Sequence, residues 1–102
     1  MDSQQIGKFV IVRTKSEHAG VHAGILLYKE KKEVRLMNAY MIWMWNPAKP
    51  NVGGLIGVAI HGVGPGSKVT GPATVVELTE VVEIIATTSI AQQSISEAKW
   101  GT

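Results

Sequence analysis

The sequence predicts a mainly β, β-rich α+β fold: a small antiparallel, barrel-like sheet of five or six strands with a C-terminal helix. Three observations predict it. Short runs of β-branched and aromatic residues are separated by glycine, proline and charged turns. A helix start signal occurs only near the end of the chain. The 102 residues are enough for one domain and contain no repeat.

The first three predicted strands form a bent sheet. Residues 8–14 are predicted to form a strand, and Phe9 to Val12 within it are apolar on both faces, which indicates a central and not an edge position. A second strand covers residues 21–29, and Gly24 inside it indicates a bulge, a bend or a close backbone approach. Residues 33–38 alternate polar and apolar, so we expect a hairpin with a connection of three to five residues. By analogy, this pattern suits a small SH3-like or Sm-like barrel, closed or nearly closed.

Residues 39–45 combine aromatic and methionine side chains in one short run. As a strand, this segment places Trp43 and Trp45 on one face with Met41, and apolar residues on the other face. Pro47 ends the run. We interpret the aromatic side chains in two ways, as core or interface residues or as ligand contacts.

The whole chain, residues 1–102, is predicted to be a single domain with a Gly/Pro-rich mobile segment at about 47–72. A short helix over 52–60 is an alternative inside that segment, although its glycines disfavour it. We expect a loop over 62–72 and strands over 73–78 and 79–87. In the last strand, Val82 and Ile84 should share a face opposite Val81.

The final predicted element is a helix from Ile90 to about Lys99. Ser89 and Gln92 fit a capping box at its start. Trp100 is expected to cover the core where the helix ends. An inward-facing stripe is predicted at Ile90, Ala91, Ser94, Ile95 and Ala98.

Composition limits the classes of function. The net charge of +2 is too small for a general nucleic-acid binder, and the absence of cysteine excludes disulfides, thiolate metal sites and a cysteine nucleophile.

We see no signal peptide and no apolar run of membrane-spanning length, so we expect a cytoplasmic protein without a membrane partner. Hydrophobic residues make up 45% of the chain and charged residues 18%, which leaves apolar surface for a subunit interface.

No catalytic, metal or cofactor constellation is predicted. His18 and His22 have the spacing of helical metal ligands, but Gly20 and a strand make that geometry unsuitable. The glycine-rich stretch 62–68 lacks the order and the following helix of a phosphate-binding loop. Glu77 and Glu83 alternate with apolar residues and are expected to face solvent. We therefore expect a protein that is not an enzyme.

The candidate ligand-binding residues combine aromatic rings with polar and cationic groups. Stacking on tryptophan beside arginine is a common way to hold a base or nucleotide. An imidazole and an amide would add hydrogen bonds. The candidates are Arg13, His22, Asn38, Trp43 and Trp45.

Several segments together resemble a group of small phage and prophage proteins without an assigned activity. The group has a VRT strand followed by AGVHAG, GKEV, an NA..IWYW run, an ELTE..EII strand and a terminal tryptophan. The matching stretches cover most of the chain except 46–76, and two basic residues often stand in the group where this chain has Tyr40 and Met41. Met44 is a further departure, because the group has an aromatic residue there. The matching residues are 12–14, 20–24, 32–34, 38–39, 42–43, Trp45, 77–80, 82–85, 94–95 and Trp100.

The resemblance implies a phage accessory protein in the host bacterial cytoplasm. Together with the residues above, it predicts a non-enzymatic homo-oligomeric binding protein that sequesters a host nucleotide-type defence signal between subunits. Two alternatives stay open: a structural or accessory interaction protein, or a direct inhibitor of a host protein. A nucleic-acid module is disfavoured, because too few basic residues are available.

Overall fold

Five antiparallel strands pair in the order β4-β3-β2-β1-β5, with two helices added. The computed structural model describes residues 4–15, 20–49 and 53–98. The predicted mainly β class with a C-terminal helix is confirmed. The elements are β1 Phe9–Thr14, β2 Val21–Glu30, β3 Glu33–Met44, α1 Gly54–His61, β4 Lys68–Leu78, β5 Val81–Ala86 and α2 Ser89–Glu97.

The first strand is an interior strand and not an edge strand, as its two apolar faces predict. β1 pairs with β2 on one side and with β5 on the other. Phe9 and Ile11 point into one hydrophobic cluster, and Val10 and Val12 point into a second. All four are buried. Both faces of the sheet therefore need cover at this strand.

The two helices cover one face of the sheet. The cluster beneath them, here called the helix-side cluster, joins residues of β1, β2, β3, β4, α1 and α2. Neither helix in the described part of the chain has the length and apolar run that crossing a membrane requires. The buried members of the helix-side cluster are Phe9, Ile11, Ala23, Ile42, Val58, Ala59, Val69 and Ile95.

The opposite face is buried because the sheet coils on itself. The connection from β4 to β5 contains two residues, although these strands are the opposite edges of the sheet. Both edges pack against the second cluster, β4 through Val76 and Leu78 and β5 through Val81 and Ile84. The sheet nevertheless is not closed, so of the two alternatives, a closed or a nearly closed barrel, the closed one is wrong.

The hairpin between β2 and β3 depends on close backbone contact. Its connection has two residues, not three to five, and Lys31 adopts a positive φ of 53°. At Gly24 the pairing register shifts, and a Cβ atom would lie 3.0 Å from the Met37 carbonyl oxygen and 3.1 Å from Ala39 Cα. Of the three alternatives predicted at Gly24, the structure shows both the bulge and the close backbone approach.

Bulges change the predicted faces of two strands. Trp45 packs against the helix-side cluster, whereas Trp43 is 53% exposed, so these residues do not share a face. The reason is a register shift between Ile42 and Met44, which makes Trp43 an extra residue in the ladder. A similar shift in β5 puts both Val81 and Ile84 against the second cluster, on the opposite face, and leaves Val82 exposed.

The segment 47–72 contains more regular structure than predicted. The helix that was an alternative is formed as α1 at 54–61, and β4 begins at Lys68, inside the expected loop. Edge strands tolerate glycine and proline because one side of the ladder is unpaired, which explains Gly71 and Pro72 in β4. The expected mobility of the segment stays a prediction.

The second helix starts one residue earlier than predicted. Thr88, not Ser89, is the N-cap: its Oγ1 accepts a hydrogen bond from the Ala91 amide at 3.1 Å. Ala91 and Ile95 are fully buried, as expected, but Ile90 is 67% exposed, so its place in the inward stripe is wrong. The predicted contacts of Trp100 lie outside the described residues.

We expect Thr88→Ala to lower the free energy of unfolding by about 1 kcal/mol, because α2 loses its N-cap. The same hydroxyl also donates a 2.6 Å hydrogen bond to the Ile60 carbonyl at the end of α1. Ser89→Ala is the matched control and should have a much smaller effect. Urea unfolding followed by circular dichroism measures both. Equal losses in the two variants, or a larger loss for Ser89→Ala, would contradict this assignment of the cap.

Candidate functional site

Arg13 takes part in an ion pair across the β1–β5 ladder. Its Nε lies 3.0 Å from Oε1 of Glu83, which is its direct register partner. Both side chains are substantially exposed, so the pair contributes little to stability. The pairing holds the guanidinium beside the sheet surface and offers its remaining N–H donors to solvent.

His22 lies in the middle of the sheet. Its register partners are Val12 on β1 and Met41 on β3, and side chains directly opposite each other share a face. The imidazole Nδ1 is buried and has no hydrogen-bond partner. Burial lowers the pKa of His22 below 6.5, because the charged form is less well solvated there. His22 is therefore a neutral imidazole at pH 7.

Asn38 is needed by the backbone of β3. It has a positive φ of 50°, a conformation that asparagine tolerates better than most residues. The pairing register with β2 differs on the two sides of Asn38. Met37 pairs with Ile25, whereas Tyr40 pairs with Ala23, so Asn38 lies where the strand bends. The conformation of the backbone accounts for an asparagine at this position.

The two candidate tryptophans have different environments. Trp45 is half-buried against the helix-side cluster, as a core residue would be. Trp43 is more than half exposed at a bulge, and bulges commonly redirect a side chain near a binding site. We interpret the aromatic run either as core or interface residues or as ligand contacts. The environment of Trp45 fits a core residue, and that of Trp43 fits a ligand contact.

The five predicted site residues do not form one pocket in a single copy. His22 and Trp43 lie at the same end of the β2–β3 hairpin, because His22 pairs with Met41. Arg13 is two positions after Ile11 and lies toward the helix-covered face, opposite to that of Val12 and His22. Two of the five candidates thus lie at the same end of one hairpin.

Three clefts on the surface are lined by other residues. They measure about 580, 430 and 190 Å³. The largest lies between the β2–β3 turn and the β4–β5 connection and contains lysines together with glutamates, so its charges offset one another. Its lining consists of Glu30, Lys31, Lys32, Glu33, Thr79 and Glu80.

A polar cluster near that cleft was missed in the sequence. Arg35 lies over the ring of Tyr28, 5.5 Å from its centroid, and its Nη2 is 3.1 Å from Oε1 of Glu77. The Tyr28 hydroxyl donates a hydrogen bond to Glu30, and this bond raises the pKa of Tyr28. Only cross-strand pairing could have indicated this cluster, because Arg35 is the register partner of both Tyr28 and Glu77.

The geometry of the described side chains does not support metal binding. Within residues 4–15, 20–49 and 53–98, no three histidine, aspartate or glutamate side chains converge as a metal site requires. His18, which has metal-ligand spacing from His22 in the sequence, lies outside these ranges.

The buried imidazole predicts a pH dependence. The pKa of His22 is lowered in the folded state, so below about pH 6.5 the unfolded chain binds a proton that the folded chain does not. Stability due to His22 is therefore present above pH 6.5 and is lost as the pH falls toward the lower, folded-state pKa. We expect this loss to be absent in His22→Gln. Proton NMR titration of the His22 ring should give a pKa below 6.5, and a value at or above 6.5 would contradict this account.

The comparisons with known proteins identify a family but give no activity. No curated protein and no solved structure shows a significant match to the chain. One family model, described as "Domain of unknown function (DUF6948)", matches residues 7–95, which include every strand and most of α2. This match agrees with the resemblance to a family without an assigned activity, and it covers well over half of the chain. The chain belongs to the DUF6948 domain family.

Proposed function

We propose that the protein is a non-enzymatic, homo-oligomeric binding protein of phage origin. It sequesters a nucleotide-type small molecule of its bacterial host in pockets formed between copies. The observation that carries this proposal is the exposed apolar surface of a single copy. Within the described ranges, eleven large apolar side chains are exposed, on both the strands and the helices.

Those side chains favour association between copies. Single exposed apolar residues are ordinary on soluble proteins, but neighbouring groups of them usually mark an interaction surface. Here Met37 and Val75 are direct partners across β3 and β4, and both are exposed. Ile56 and Ile60 are exposed one turn apart on α1. Covering such neighbours with another copy removes apolar surface from water.

The position of Trp43 favours a ligand site that needs a second copy. Its exposed ring offers a face for stacking a base, and His22 on the neighbouring strand adds a neutral imidazole. Lys68 pairs with Met44 at the same bulge and adds a positive charge suited to a phosphate. None of these three residues lines one of the three clefts described above, which supports a site completed by a neighbouring copy.

Phage origin and the host cytoplasm belong to the same proposal. They are supported by the motif resemblance of residues 12–14, 20–24 and 77–80 to small phage and prophage proteins. A sequestering protein needs no catalytic group, only affinity and abundance. This role is compatible with a site built from an aromatic ring, an imidazole and a lysine.

Isothermal calorimetry against a panel of linear and cyclic nucleotides tests the proposed function. We expect at least one nucleotide to bind with micromolar or tighter affinity. Trp43→Ala should then weaken binding about tenfold or more, because a stacked base contributes on the order of 1–3 kcal/mol. The matched control is Tyr28→Ala, which removes another exposed aromatic ring near the β2–β3 turn.

Two results would contradict the proposal. One is the absence of heat with every nucleotide at high micromolar concentration. The other is a loss of affinity in Tyr28→Ala that equals the loss in Trp43→Ala, because it would place binding elsewhere. A stoichiometric host protein captured from infected cells, with no small molecule, would favour the direct inhibitor instead.

A further inference from the structure

The first helix is apolar on all of its sides. Its buried residues, Gly57, Val58 and Ala59, face the core, while Ile56 and Ile60 are 56% and 43% exposed. Residues four apart lie one above the other on a helix surface, so these two isoleucines form one outward stripe. A helix that is hydrophobic all round is normally buried on all sides. Within the described residues of a single copy, the outward side of α1 lacks that cover.

Two hydrogen bonds from Thr88 connect the second helix to the end of the first. The Thr88 amide donates a hydrogen bond to the Ala59 carbonyl at 3.0 Å, and its hydroxyl donates to the Ile60 carbonyl at 2.6 Å. These bonds hold the start of α2 against the end of α1. Ile90, in the first turn of α2, is the most exposed large apolar residue of the described chain. Ile56, Ile60 and Ile90 are here called the isoleucine patch.

The two segments that carry the isoleucine patch contain no formally charged residue. The sequence has no Asp, Glu, Lys or Arg in residues 53–67 or 84–96, which include nearly all of both helices. Anionic lipid surfaces are recognised by basic residues beside an apolar face, and such residues are missing here. A strongly charged protein partner would likewise find no complementary charge. The surface complementary to a neutral, apolar patch is another neutral, apolar patch.

We propose that a second copy of this chain covers the isoleucine patch with its own isoleucine patch. The contact is isologous, so the same residues of the two copies meet across a two-fold axis. Ser89, Gln92 and Gln93 are exposed beside the patch and supply the polar rim that such interfaces have. This inference rests on the homo-oligomer proposed above and adds the surface through which the copies associate.

A second apolar surface on the sheet is the natural competitor. Met37 and Val75 are 36% and 46% exposed and lie directly opposite each other on β3 and β4. Two positions along the same strands, however, Arg35 and Glu77 form an ion pair. Charged side chains at the edge of this surface make it less suited to a dry contact between copies. Val75 therefore provides a matched control.

Cross-linking through single cysteines tests the proposed contact in the whole chain. Because the chain has no cysteine, each variant carries one reactive thiol. We expect Ile56→Cys, Ile60→Cys or Ile90→Cys to give a covalent dimer with a short bismaleimide under native conditions. Val75→Cys should stay a single chain. Cross-linking of Val75→Cys without any cross-linking of the three patch variants would overturn the inference.

Charged substitutions provide the second measurement. Ile56→Lys and Ile90→Lys should raise the dissociation constant of the oligomer about tenfold or more, because each places two like charges across the two-fold axis. Val75→Lys should leave it unchanged, and circular dichroism checks that all three variants fold. If the lysine variants fail to fold, the cysteine variants alone decide.

The outcomes separate this inference from the proposed function. A stable oligomer that only Val75→Lys disrupts would overturn the isoleucine contact and leave the homo-oligomer intact. An unmodified chain that scatters light as single copies at high micromolar concentration would overturn both.

Discussion

The structure depends on the burial of both faces of β1. Four consecutive apolar residues, Phe9 to Val12, alternate between the two faces of the sheet, and both sets are removed from water. A layer of helices covers one face. The other face has no helix, so the sheet coils until its edges, β4 and β5, pack against the same cluster. The short β4–β5 connection follows from this coiling.

This constraint also explains where apolar surface remains. Two helices of eight and nine residues cover the sheet near Ile11 and Ile42 but do not extend over Met37 and Val75. In the part of the chain that the structure describes, the outer side of α1 has no further layer above it. A domain of about 100 residues buries only about two-thirds of the surface of its unfolded chain. The excess apolar surface is therefore a consequence of chain length combined with a low content of charged residues.

Much of the sheet could be predicted because local residue types determine it. The β-branched run before Thr14 specifies a central strand, and Gly24 indicates a close approach. The start of β4 could not be predicted, because Gly71 and Pro72 are typical of a loop and are tolerated only when the strand is an edge. The cap of α2 was misplaced by one residue because Thr88 and Ser89 are adjacent and both can cap, and serine is the more favourable of the two by residue type.

The candidate site was predictable in residue type but not in arrangement. Alternation along β3 assigned both tryptophans to one face, and a single bulge at Trp43 separated them. The ion pair of Arg13 depends on the register between β1 and β5, strands about seventy residues apart in sequence. The pairing register between strands so far apart in sequence depends on bulges and on the whole fold. Local sequence patterns carry no information about either. The imidazole of His22 became informative only when its burial was known.

The central claim is that one copy of this chain leaves apolar surface that other copies cover. Sedimentation velocity of the unmodified chain, from low to high micromolar concentration, tests this claim most directly. The account predicts an oligomer whose mass is two or more times 11.0 kDa and which persists over most of that concentration range. A single 11.0 kDa species at every concentration would contradict it.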